Sequence, residues 1–231
     1  MVKNIVVLSG AGISAESGLK TFRDANGLWE GHDVMEVATP QGFEENPSLV
    51  LDFYNQRRKQ LLKVAPNAAH KALVELESNF NVNIITQNVD DLHERGGSSQ
   101  VLHLHGELLK VRSTRTQANA IEWKDDIVIG DFCQEGYQLR PHIVWFGEAV
   151  PLLDDAIAIT SRADILIIVG TSMQVYPAAS LIDFVREETP IYFIDPKPSI
   201  NEKSRKNLTI IPKTAVEGIP NLVASLIEIK S

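Results

Sequence analysis

Lys3-Asn4-Ile5-Val6-Val7-Leu8-Ser9-Gly10-Ala11-Gly12-Ile13-Ser14-Ala15-Glu16-Ser17-Gly18 runs from an apolar, β-branched stretch straight into a glycine-rich turn. The small residues at 10, 11 and 12 let backbone approach a ligand closely, and Ser14 to Leu19 reads as the start of a helix whose free N–H groups face the same turn. The implied ligand is a phosphate-bearing cofactor. Because Gly-x-Gly after a strand also marks ordinary tight turns, the residues beyond it have to decide the reading. The first of these is the polar segment Thr21-Phe22-Arg23-Asp24.

Further along, Asn83 to Thr86, His142 to Phe146, Asp164 to Val169, Ile191 to Ile194 and Leu208 to Ile211 repeat the pattern of Ile5 to Leu8. Several lack the polar alternation of a half-exposed sheet, which predicts parallel strands covered on both faces. Helical stripes fall between them: Ala69, Leu73, Leu76 and Phe80; Ala178, Leu181, Ile182 and Val185 after Pro177; and Ile219, Leu222, Val223, Leu226 and Ile227. The fold class is α/β, a Rossmann-like open parallel sheet with helices on both faces. Residues 30–66, with a helix expected from about Pro47 to Lys63, and residues 110–141 break the rhythm. They are read as two insertions forming a small domain beside a core of about 1–29, 67–109 and 142–231, within one unit over 1–231.

At 44% hydrophobic content the chain can bury a sizeable core, and a formal charge of −8 argues against a general nucleic-acid surface. A single cysteine, Cys133, excludes an intramolecular disulfide. No apolar run reaches membrane-spanning length, and the opening strand carries no secretion-signal pattern, so a cytoplasmic location is expected; the chain is also expected to be a monomer.

Two more polar clusters follow apolar runs. Thr86-Gln87-Asn88-Val89-Asp90-Asp91 stands where a strand should end, the place ligands occupy in such sheets, although Asn88 or Asp90 would also serve simply as a helix cap. His103-Leu104-His105-Gly106-Glu107, read as extended, puts both histidines on one side. No third and fourth ligand at sensible spacing accompanies them, so no metal site is assigned. A satisfied buried histidine and a general base are the two remaining readings.

Gly10-Ala11-Gly12-Ile13-Ser14, Thr21-Phe22-Arg23, Thr86-Gln87-Asn88-Val89-Asp90, His105-Gly106, Phe146-Gly147-Glu148 and Gly170-Thr171-Ser172 occur in the order and approximate spacing of the sirtuins, the NAD-dependent protein deacylases, which the chain resembles over nearly all its length. The resemblance implies that Gly10, Ala11, Gly12, Gly170, Thr171 and Ser172 line the phosphates and ribose of NAD. Phe22 and Arg23 would belong to a loop over the nicotinamide ribose, and Gln87, Asn88 and Asp90 would hold that ribose and the nicotinamide pocket. His105 falls on the family's general base, with Asn88 and Asp90 as its catalytic neighbours. Val144, Phe146, Gly147 and Glu148, facing Met173 and Val175, would receive an acyl-lysine peptide as an added strand. The products implied are free lysine, nicotinamide and O-acyl-ADP-ribose.

In Phe53-Tyr54-Asn55-Gln56-Arg57-Arg58-Lys59, Tyr54 and Arg57 lie three apart and share one face if the segment is helical. Within the family, the chain resembles the members that remove succinyl, malonyl or glutaryl groups through such a pair, since tyrosine and arginine can jointly hold a distal carboxylate. Arg58 and Lys59 also permit a plain basic, solvated face. Two features depart from the family. Cys133 alone cannot make the four-cysteine zinc site, so no structural zinc is expected, and Ile121, Trp123, Ile127, Phe132 and Tyr137 are expected to supply a replacement core. Asp195 stands where asparagine is usual near the adenosine ribose, where it accepts hydrogen bonds but donates none. ADP-ribosyl transfer to another acceptor, and NAD or ADP-ribose binding without turnover, are the rival functions. Deacetylation, desuccinylation and demalonylation of proteins are the leading ones.

Overall fold

The computed structural model describes residues 2–20, 28–29, 31–115, 120–200 and 205–230. In chain order it forms β1 (Asn4–Ser9), α1 (Gly12–Ala15), β2 (Leu28–Trp29), β3 (His32–Asp33), α2 (Val34–Val37), α3 (Pro40–Glu45), α4 (Pro47–Leu61), α5 (Ala68–Glu75), β4 (Asn81–Thr86) and α6 (Leu92–Gly96). It continues through β5 (Val101–His103), β6 (Gly106–Ser113), β7 (Ile121–Glu122), β8 (Leu139–Ile143), α7 (Leu153–Thr160), β9 (Ile165–Val169), β10 (Ile191–Ile194), β11 (Leu208–Ile211) and α8 (Ala215–Lys230).

Six strands make one parallel sheet in the order β11-β10-β9-β1-β4-β5. Alternate residues of β1 enter opposite cores, as the two-residue period of a strand requires. Ile5 and Val7 pack with α5 and α8, while Val6 and Leu8 pack against α7 and the 3-10 segment Ala178–Phe184. The chain leaves β1 toward β4 on one side and returns through β9 on the other. That reversal opens a crevice at the carboxyl ends of β1 and β9, the usual ligand position in such sheets. Gly12 and Gly170 meet there, and a Cβ on Gly12 would come 2.6 Å from the Gly170 Cα, so this corner admits no larger side chain.

A second sheet, β7-β6-β8, is antiparallel. His142 to Phe146 was expected in the parallel sheet. Instead β8 ends at Ile143 and pairs with β6, and residues 144–148 turn away because the Glu148 carboxylate folds back to accept the Trp145 N–H at 2.8 Å. Both strands run past the boundaries drawn at 110 and 142. The expected helix from Ser14 to Leu19 stops after Ala15, the Ala178 to Val185 stripe is 3-10 rather than α, and the short strand β5 was not anticipated.

Asn46 starts α4 by accepting the Leu49 N–H at 3.1 Å, with Pro47 in the first turn where its missing N–H costs nothing. The replacement core differs from expectation. Ile127 is buried with Leu51, Val111 and Leu139, and Trp123 and Cys133 pack against them, but Ile121 and Phe132 are 51% and 59% exposed. Tyr137 instead sits under the Arg115 guanidinium, 4.8 Å away. The Cys133 thiol contacts the Ser113 hydroxyl at 3.6 Å. Among the described residues, no cluster of three or more histidine, cysteine, aspartate or glutamate side chains is arranged to hold a metal.

Candidate active site

The crevice is a cavity of about 730 Å³, within the range of roughly 300–1,000 Å³ usual for small-molecule and cofactor sites. One wall is Gly10, Ala11 and Gly12 with Gly170, Thr171 and Ser172, all from the turns after β1 and β9; Asp195, from the end of β10, closes the far side. The turn after β4 supplies Gln87, Asn88 and Asp90, and His105 comes from the corner joining the two sheets. Phe22 and Arg23 lie outside the described residues.

Ser14 ties the β4 turn together, although the sequence had marked it only as part of the glycine motif. Its hydroxyl donates to Asp90 Oδ2 at 2.9 Å and accepts from Asn88 Nδ2 at 3.2 Å, while Leu92 N–H donates to the other Asp90 oxygen at 3.1 Å. Burial pushes the Asp90 pKa up to about 6, the two hydrogen bonds to its carboxylate opposing that rise. Across the crevice, Gln87 Nε2 donates to Thr171 Oγ1 at 3.2 Å, linking the ends of β4 and β9.

The two histidines do not share a face, because the chain turns at Leu104-His105. Each donates its Nδ1 proton to a backbone carbonyl, His103 to Asn88 and His105 to Gln87, both at 3.0 Å. His103 Nε2 then meets Glu94 at 2.7 Å. Burial alone would lower the His103 pKa, but the Glu94 contact outweighs it and the pKa is raised. For His105, burial prevails over the Gln87 bond and the pKa is lowered, so this ring is neutral at pH 7. With the proton fixed on Nδ1, its Nε2 lone pair is the basic one. Gly106 makes the corner possible with φ +82; a Cβ there would lie 2.0 Å from the His142 carbonyl oxygen.

Tyr54 and Arg57, one turn apart on α4, both reach the cavity wall. The basic face is not solvated as a whole: Arg58 is 1% exposed and donates into the interior, to Leu108 O at 3.2 Å and Asn55 Oδ1 at 2.8 Å. Val144, Phe146, Gly147, Glu148 and Val175 line the cavity mouth. Met173 is not on the wall and packs instead against the core beside α7. The N–H groups of Val144, Trp145, Phe146 and Glu148 donate within the chain, so a peptide added here would bond to the segment's carbonyls rather than to these amides. The Glu148 carboxylate, expected at the peptide, is occupied by Arg112, Arg140 and the Trp145 N–H.

The Sir2 family model matches residues 10–177, which span every one of these walls except Asp195. The chain belongs to the Sir2 family. A relative in Helicobacter pylori named NAD-dependent protein deacylase is 60% identical to this Sir2 chain over 230 residues, with the whole of both chains covered. A crystal structure of a Sir2 homologue in complex with NAD is 40% identical and superposes with a TM-score of 0.88, covering 100% of this chain and 91% of the other. A Sir2 protein bound to an acetylated peptide is 28% identical, with a TM-score of 0.78 over 99% and 93% of the respective chains.

Trp145 and the His103–Glu94 pair are the Sir2 site's features that sequence reasoning missed. His103 carried a signal, since a second histidine two residues before His105 needs its own explanation. Trp145 carried none: its partner Tyr54 is 91 residues away.

Proposed function

We infer that this NAD-dependent protein deacylase removes succinyl and malonyl groups from lysine in preference to acetyl. The observation that carries the preference is the position of Tyr54 and Arg57 on the wall of the same cavity that His105 lines. A guanidinium and a phenol there offer a charge partner and a hydrogen bond to a distal carboxylate, which acetyl-lysine lacks.

The donor set also suits the cofactor. Gly10, Ala11, Gly12, Gly170, Thr171 and Ser172 would hold phosphates and ribose, Gln87, Asn88 and Asp90 the nicotinamide ribose, and Asp195 the adenosine ribose hydroxyls. NAD supplies a ribose whose bond to nicotinamide can be broken. Asn88, Ser14 and Asp90 are already locked to one another and so can orient a bound hydroxyl without reorganising. His105, neutral and with Nε2 unprotonated, takes the proton of a ribose hydroxyl. Val144 and Phe146 add apolar surface to the wall around the reacting centre.

Matched acetyl-, malonyl- and succinyl-lysine peptides with NAD test the preference. Wild type is expected to show higher kcat/KM on the two carboxylated acyl groups, by about one to two orders of magnitude for a charge-assisted hydrogen bond. Arg57→Met should depress desuccinylation far more than deacetylation, and Tyr54→Phe should act in the same direction but less. An acetyl preference in wild type, or equal losses on all three peptides, overturns the acyl assignment.

A further inference from the structure

Tyr54 is fully buried and bounds the cavity, and its hydroxyl has one hydrogen bond among the described residues, with Trp145 Nε1 at 2.9 Å. An indole N–H only donates. The Tyr54 oxygen is therefore the acceptor, and its own proton has no protein acceptor among the described residues.

Trp145 is itself fixed from behind. The Arg140 guanidinium carbon lies 3.2 Å from the indole ring centre, and the same guanidinium forks onto Glu148, Nη1 to Oε1 at 2.8 Å and Nη2 to Oε2 at 3.1 Å. Arg112 reaches the same carboxylate at 3.2 Å, both arginines donate to the Ile143 carbonyl, and Glu148 also accepts the Trp145 backbone N–H. Two guanidinium groups against one carboxylate leave one surplus positive charge in this buried cluster. A cation on the face of an indole withdraws electron density from it, and hydrogen bonds in series strengthen one another. The N–H that Tyr54 receives is thus a sharpened donor, and the phenol proton beyond it is sharpened in turn.

Resting on the carboxylated-acyl reading above, we propose that Trp145 is a positioning residue for acyl recognition: by donating to Tyr54 it directs the phenol proton to the distal carboxylate of the acyl group, beside Arg57. The specificity of the pocket is then set by a relay from Arg140 through Trp145 to Tyr54, rather than by Tyr54 and Arg57 alone. Because the relay acts on a distal carboxylate that is held alike in the bound substrate and in the transition state, it governs KM more than kcat.

Trp145→Phe keeps an aromatic ring for Arg140 and deletes the N–H. With matched succinyl- and acetyl-lysine peptides, it should raise the succinyl KM about threefold to tenfold, the range expected for one hydrogen bond, with a much smaller change for acetyl and with kcat retained. Tyr54→Phe combined with Trp145→Phe should be no worse on succinyl than Tyr54→Phe alone, since the relay ends at the hydroxyl already removed. Benzothienylalanine at position 145, which replaces the N–H by sulfur and keeps the bicyclic shape, should reproduce the Trp145→Phe result and guards against a packing defect. Equal KM increases on both peptides, or additive losses in the double variant, overturn the relay. If Arg57→Met lowers the succinyl-to-acetyl ratio while the two changes at 145 leave it intact, the carboxylate reading stands and the relay falls. A wild type without the preference defeats both.

Discussion

The Nδ1 protons of His103 and His105 both go to backbone carbonyls, so the two rings differ only at Nε2. At His103 that nitrogen is held by Glu94, whereas His105 has no protein partner there among the described residues and lines the cavity. His105→Ala should lower turnover by roughly 10²–10⁴-fold in a folded enzyme, as single-turnover assays with circular dichroism can establish. A base works only when unprotonated, so kcat/KM should fall on acidification, with its midpoint below 6.5, the direction in which burial moves this ring. Asp90 gives the opposite kind of prediction. Its folded pKa, about 6, exceeds the ordinary 3.8, so the ionised group costs stability above that range and the cost is relieved as pH falls through 6. Asp90→Asn should therefore stabilise the protein at pH 7 by about 1–3 kcal/mol in denaturant melts while losing activity. The place of Asn88, Asp90 and His105 at the crevice was legible because each follows an apolar run within a few residues. Ser14 as the link between them was not, since it lies 76 positions from Asp90.

At the scale of the element, α4 faces two ways. Tyr54 and Arg57 turn to the cavity, whereas Asn55 and Arg58 turn to the small sheet, where Asn55 both donates to and accepts from the Ile127 backbone at 2.9 Å. Burial lowers the Arg58 pKa to about 10, and the side chain keeps its charge at pH 7 through Leu108 O and Asn55. Asn55→Ala would strand the Ile127 amide and weaken the hold on a buried cation. We expect a loss of about 2–4 kcal/mol in urea or guanidinium unfolding, against a small change for Gln56→Ala on the exposed side. Helical spacing made the Tyr54 and Arg57 face readable. The other face looked solvated because charge alone does not reveal a partner fifty residues on. The same limit misplaced His142 to Phe146, whose apolar run fits either sheet until Gly106 and Glu148 are seen to bend the chain.

Over the whole molecule, the parallel sheet was readable because its central strands β1 and β9 are buried on both faces and α5, the 3-10 segment and α8 each carry an apolar stripe, whereas the three-residue edge strand β5 left no such signal. The small sheet was not, because its core is divided between α4 and three distant segments: Leu51, Val111, Ile127 and Leu139 are brought together by the fold and share no local period. Such a core has to hold without metal if the reading of Cys133 is right. Elemental analysis of protein purified without added metal should find far less than one zinc per chain, and a chelator should leave both the melting temperature and the turnover unchanged. One zinc per chain, with unfolding on its removal, would reverse that expectation.

The contact between Cys133 and Ser113 has a consequence for the conditions under which the enzyme can work. Thiolates are the groups that peroxides attack first, and a domain held by four of them would come apart as they oxidise. Here one thiol sits beside a hydroxyl, away from the cavity wall. Its conversion to a sulfenic acid or its alkylation removes no catalytic group and releases no cross-link. Turnover should therefore survive hydrogen peroxide or iodoacetamide at doses that modify Cys133 completely by mass spectrometry, and Cys133→Ser should match wild type in the same assay. Such an enzyme would go on working through an oxidative burst.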